Sequence, residues 1–126
     1  MKEQSKLRII DTSAPELRED PVFMYRMTHG KNTVSVNKLD DDQLENDYPV
    51  SAWVVYTDVN SKGEDVEILS ILTESGLILA AQSKTFKESF FDIVDIVGDK
   101  AFSIRVLSGT SKAGRRYMDC DLASIG

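Results

Sequence analysis

Three cations and one aromatic ring gather around a short stretch bounded by glycines. Lys112, Arg115, Arg116 and Tyr117 stand within or just after Gly109-Thr-Ser-Lys-Ala-Gly114. Cations of this kind neutralise phosphates, and a ring beside them offers a face on which a base stacks. The two glycines with small polar residues between them mark a chain reversal. Strand-like runs flank it, Ala101 to Leu107 before and Tyr117 to Leu122 after, so the stretch is expected at the tip of a hairpin. The same residues also suit a plain solubilised turn, and only their surroundings separate the two.

Four further residues join the candidate set. Arg105 is expected to approach Tyr117 and Arg115 from the neighbouring strand, and Lys84 lies just before a helical pattern. Trp53 and Tyr56 belong to one strand-like run and therefore point to opposite faces, since side chains alternate along a strand. Trp53, the larger apolar group, is favoured for the core. Tyr56, close to the turn at Asn60-Ser-Lys-Gly63, is expected to face solvent.

The elements that must position these groups follow from pattern. Residues 1 to about 20 are of mixed charge and interrupted by Pro15 and Pro21, which favours a loose arm ahead of one domain over 21–126. Phe23 to Thr28 alternates weakly and is assigned a first strand, with Val34 to Val36 as part of it or as a separate one. Asp40 to Asp47 is an acidic loop or a single helical turn. Val50 to Thr57 and Val66 to Leu72 form a hairpin, and Thr73-Glu-Ser-Gly76 turns the chain into a short apolar run, Leu77 to Ala81. Ser83 to Gly98 is the one clear helix. Phe86, Phe90, Ile93, Val94 and Val97 recur at helical spacing, Phe91 and Ile96 widen the stripe, and Gly98 suits its end. Thr85 and Glu88 have capping-box spacing. In the last strand Met118, Cys120 and Leu122 form the apolar face.

Strands, a hairpin, a helix and a second hairpin, in that order, describe a mainly β protein. An OB-fold, a five-stranded antiparallel barrel with its helix between the third and fourth strands, has this order, and its loop between strands four and five commonly grips oligonucleotides. Gly109 to Gly114 would be that loop. A small α+β sandwich has the same order of elements.

Bulk properties bound the possibilities. A chain of 126 residues, 41% hydrophobic and 29% charged, is long enough for one domain with a real core. It has no apolar run of about 18 residues and no apolar leader near its start, so neither a membrane span nor secretion is expected. Its single cysteine, Cys120, excludes an internal disulfide, suggests a buried thiol and suits a cytoplasmic setting. The formal net charge of -6 is unevenly spread. Lys38 to Glu67 holds nine acids (Asp40, Asp41, Asp42, Glu45, Asp47, Asp58, Glu64, Asp65 and Glu67) against Lys38 and Lys62, whereas cations prevail from Gly76 to Met118. A binder without sequence preference needs only a local positive groove.

The runs Thr73-Glu-Ser-Gly-Leu77, Ala81-Gln-Ser-Lys-Thr85 and Val106-Leu-Ser-Gly-Thr-Ser-Lys-Ala-Gly114 resemble the single-stranded DNA-binding proteins of small, protein-primed phages of Gram-positive bacteria. The resemblance covers roughly residues 70–122. It implies coating of displaced single strands during genome replication, without catalysis, in the cytoplasm of the host, with self-association or contact with replication proteins as further possibilities. It also points to Ser83, Lys84, Thr85 and Gly109 to Gly114 as retained features. Gly109 and Gly114 are read as turn geometry.

Catalysis finds no foothold. His29 is the only histidine, so a histidine metal cluster is impossible, and one cysteine cannot supply zinc thiolates. The run Asp40-Asp-Asp42 aims its carboxylates in different directions, which suits a solvated loop better than a Mg²⁺ site. No cofactor and no metal is expected. The rival expectation from a different class is an acidic phage protein that binds and inhibits a host protein, with Asp40 to Asp47 imitating phosphates.

Overall fold

A computed structural model describes residues 7–44 and 46–125, and the chain is mainly β throughout them. The described residues form seven strands: β1 (Arg8–Thr12), β2 (Thr33–Ser35), β3 (Asp47–Val59), β4 (Asp65–Thr73), β5 (Ile78–Ala81), β6 (Phe102–Thr110) and β7 (Arg116–Ile125). Three α-helices join them: α1 (Pro21–His29), α2 (Asp41–Leu44) and α3 (Lys84–Val97), with a 3-10 turn at Val36–Lys38. The expectation of five strands is therefore corrected to seven, and the long helix follows the fifth. Among the described residues no helix is long and apolar enough to cross a membrane.

The hydrogen-bonded order is β2-β5-β4-β3-β6-β7, with β1 attached to β3. Strand β3 organises the sheet because it is long enough to serve three partners. β4 follows it from Val50 to Val59, β6 pairs its start at Asp47 to Pro49, and β1 pairs it from Val54 to Thr57. A register shift between Val50 and Ala52 changes which parity faces inward, so Tyr48 shares a core with Trp53 and Val55. An inserted residue of this kind also sharpens the local twist, which lets one strand bridge two parts of a curled sheet.

The concave side of the sheet packs on α3. Ser83 caps this helix by accepting a bond from the Phe86 amide at 3.3 Å, two residues ahead of the expected Thr85 cap. Phe86 and Phe90 are fully buried, with Ile93 and Val97 below them. Each such side chain contributes about 1.5–3 kcal/mol through its burial. Trp53 meets Phe90 and Phe91 edge-on at centroid distances of 6.2 and 5.2 Å. Gly98 ends the helix at φ +62°, a conformation that glycine adopts without a Cβ clash. Ile96, expected to widen the buried stripe, is exposed.

The convex side is covered too, by α1, where the sequence pattern suggested a strand. Asp20 caps α1 by accepting from the amides of Val22 and Phe23, and Pro21 occupies the first turn, where its missing N–H costs nothing. Phe23, Met24 and Met27 then pack on Ala52, Val54, Tyr56, Leu72 and Ile78. The last turn leaves carbonyls without helical partners. Ser70 Oγ donates to Met27 O at 2.6 Å and Tyr56 Oη donates to Thr28 O at 3.4 Å, fastening the helix end to β4 and β3. The N-terminal segment, expected as a loose arm to about residue 20, is a paired strand over β1. The part of that expectation on residues 1–6 lies outside the described residues.

Candidate nucleic-acid interface

The hairpin β6–β7 reverses where the sequence indicated. Gly114 takes φ +82°, its amide donates to Ser111 O at 2.9 Å, and the Ser111 amide donates to Arg115 O at 2.8 Å. Lys112, Arg115 and Arg116 are all exposed at this tip. Tyr117, opposite Gly109 in the ladder, is 42% exposed.

Gly109 is not a turn residue, contrary to expectation. It lies inside β6 without positive φ, and its role is to have no side chain. A Cβ at this position would stand 2.6 Å from Cζ and Oη of Tyr117 and 2.9 Å from Cε1. The Tyr117 ring thus lies across the backbone of the adjacent strand, filling the space a side chain would take. One side of the ring rests on the sheet and the rest is open. A ring held this way loses little freedom when a base stacks on it.

The remaining expected residues are distributed differently. Arg105 lies four residue pairs from Gly109 along the ladder, but Nη2 and Nε lie 2.6 and 3.0 Å from Asp47 Oδ1, and Asp121 is its ladder partner. It belongs to an acidic part of the outer face and not to the tip. Lys84 is exposed at the first turn of α3, where it borders a shallow depression of about 600 Å³ with Glu67, Lys87 and Glu88. Lys87 there is engaged with Glu67 at 3.2 Å.

Trp53 and Tyr56 do point to opposite faces, but neither faces solvent: they are 8% and 6% exposed, in separate cores. Trp53 is excluded from base stacking by α3. Tyr56 was expected outside, and α1 covers it. Desolvation, reinforced by Asp58, raises its phenol pKa above the ordinary value. One flank of Tyr56 still borders a groove of about 420 Å³ on the convex side, with Lys38, Ile68, Ala80, Gln82 and Ser83 among its walls. Ser83 therefore serves the helix start and the groove wall together. Lys38 was legible only as a cation at the edge of the acidic stretch, and nothing in its local pattern placed it opposite Tyr56.

The acidic stretch includes the short helix α2, whose acids Asp41 and Asp42 are exposed, as is Asp40 before it. The Asp40 amide donates to Gln43 Oε1 at 2.9 Å, and α2 packs against β6. Cys120 is buried as expected, and its thiol pKa is pushed up to about 12 by burial first and by Asp119 and Asp121 second.

No family model, curated protein or solved structure matches this chain.

Proposed function

We propose that this protein binds single-stranded DNA through the β6–β7 tip, without strong sequence preference and without catalysis. The carrying observation is the Tyr117 ring, laid on Gly109 with an open side and flanked by Lys112, Arg115 and Arg116. Stacking is indifferent to base identity because every base has a π-face, and the cations attract the backbone irrespective of sequence. On this proposal the strands β3 to β7 form an OB-type unit. The order β5-β4-β3-β6-β7, with α3 between β5 and β6 in the chain, supports it. β1, α1 and β2 are then additions before the unit, and the β6–β7 tip is its loop between strands four and five. Together with the motif resemblance, this favours a coating protein of phage DNA replication, acting in the host cytoplasm, with its own copies or replication proteins as partners.

The test is fluorescence anisotropy of a labelled mixed-sequence single strand at low and high salt, with duplex of the same sequence as competitor. Salt-sensitive binding that duplex fails to displace is the expected result. A folded sample that binds nothing at low salt overturns the proposal.

One observation favours a second possibility. Asp47 and Asp121 flank Arg105 on the strands paired with β6, and α2, with its exposed Asp41 and Asp42, packs against β6, so these four acids suit a basic protein partner. Neutralising Asp40, Asp41 and Asp42 to asparagine separates the two. Lost capture of a host protein supports the acidic side as an interface, whereas unchanged or tighter DNA binding is the outcome for the tip.

A further inference from the structure

The helix that covers the convex side brings a second set of rings and cations to the surface. Between Val22 and Leu39 the chain has no acid, although the protein as a whole has 21 acids against 15 cations. That stretch carries Arg26, Lys31 and Lys38, with the sole histidine, His29, among them. On α1, Val22, Tyr25, Arg26 and His29 follow helical spacing and are all exposed, opposite the buried Met27 and the half-buried Phe23 and Met24. Tyr25 is 62% exposed, and its ring lies nearly parallel to that of His29, 16° between planes and 5.1 Å between centroids.

Local bonds hold this pair in place. Thr28 Oγ1 donates to Met24 O at 2.8 Å, so the 2.7 Å contact between Thr28 Oγ1 and His29 Nδ1 has the imidazole donating. Nε2 is then the acceptor of the neutral ring. The Arg26 guanidinium extends toward Gly76 at the β4–β5 turn. The end of α1 and the convex groove share Tyr56, whose hydroxyl donates to Thr28 O and whose ring borders the groove. Lys38 lines that groove, in the 3-10 turn that packs against both β5 and β7, the strand of Tyr117.

We infer that the acid-free strip over α1 and the convex groove is a second contact for the same single strand, continuing the track that starts at the β6–β7 tip. Arg26, Lys31 and Lys38 meet phosphates, and a base extends the Tyr25–His29 stack. Charge complementarity and the exposed Tyr25–His29 stack select a polyanion with exposed bases over a protein partner. This inference rests on the proposed single-strand binding.

The single histidine allows an unambiguous test. Ring resonances of His29 are followed by NMR while oligothymidylate of about 16 nucleotides, the upper site size for one such unit, is added to the full chain. In parallel, anisotropy measures affinity for wild type, Tyr25→Ala and the combined Arg26→Gln, Lys31→Gln, Lys38→Gln variant. The expected result is movement of the His29 signals, a loss of about 5- to 150-fold for Tyr25→Ala from one lost stack, and a salt slope smaller by about 2 for the triple variant. Stationary His29 signals and wild-type affinity in both variants, while the wild type still binds DNA, overturn the second contact and leave the tip proposal standing. No binding by the wild type overturns both.

Discussion

Tyr117 and Gly109 form a cross-strand pair in which the ring occupies the place of a missing side chain, with a Cβ at 109 falling 2.6 Å from the ring's outer atoms. The absence of one side chain thereby orients another. Gly109→Ala must push the ring off the sheet, so it should weaken single-strand binding even though residue 109 need not touch DNA. Tyr117→Ala removes the stacking face itself and should cost about 1–3 kcal/mol of binding. Because Tyr117 is substantially exposed, its melting temperature should change little. Anisotropy and thermal melts on both variants decide this, and wild-type affinity in a folded Tyr117→Ala protein rejects the ring as a platform.

The three tip cations make a separate, electrostatic prediction. Lys112→Gln, Arg115→Gln and Arg116→Gln combined should reduce the slope of log affinity against log salt by about 2, since each single-strand phosphate contact contributes about 0.7. Arg105→Gln should not, because that guanidinium is held by Asp47 at 2.6 Å. A slope equally reduced by Arg105→Gln would move the interface down the hairpin onto its acidic part.

Much of this architecture was legible where one periodicity dominates. The α3 stripe, the β3–β4 hairpin and the β6–β7 reversal at Gly114 each carry a strong local signal, and each forms. The misread elements are those decided by tertiary cover. Phe23, Tyr25 and Met27 alternate like a strand, yet Asp20 and Pro21 supply a helix start that outweighs three alternating residues. That error propagated to Tyr56: with no helix expected on the convex side, the Tyr56 face of β3 had to be solvent. The role of Gly109 was equally invisible, because it depends on which residue stands opposite across a ladder and not on any neighbour in the chain.

Two-sided cover of β3 has a measurable consequence for its aromatics. Trp53→Ala opens a cavity beneath Phe90 and Phe91 and should destabilise the fold by about 3–5 kcal/mol, a large share of the roughly 5–15 kcal/mol that holds a domain together. Tyr56→Phe keeps the packing and loses only the bond to Thr28 O, so about 0.5–1.5 kcal/mol is expected. Urea unfolding of the two variants gives the comparison. A mild Trp53→Ala would mean that its ring is not the partner of α3 described above.

Cys120 couples stability to alkaline pH. Burial, with Asp119 and Asp121 adding to it, raises the thiol from an ordinary 9.0 to about 12 in the folded chain. A group whose folded pKa is raised holds its proton more tightly when folded, so its contribution is intact below about pH 9 and is lost as pH climbs toward 12. At about one unit above the unfolded pKa the loss approaches ~1.4 kcal/mol. The raised Tyr56 phenol acts with the same sign at somewhat higher pH. Thermal melts across the alkaline range should therefore fall less steeply for Cys120→Ala than for wild type, after correction for the packing lost at neutral pH. Equal slopes, or quick alkylation of Cys120 in the native protein at neutral pH, would show that the thiol is reached by water and that β7 does not seal against the core.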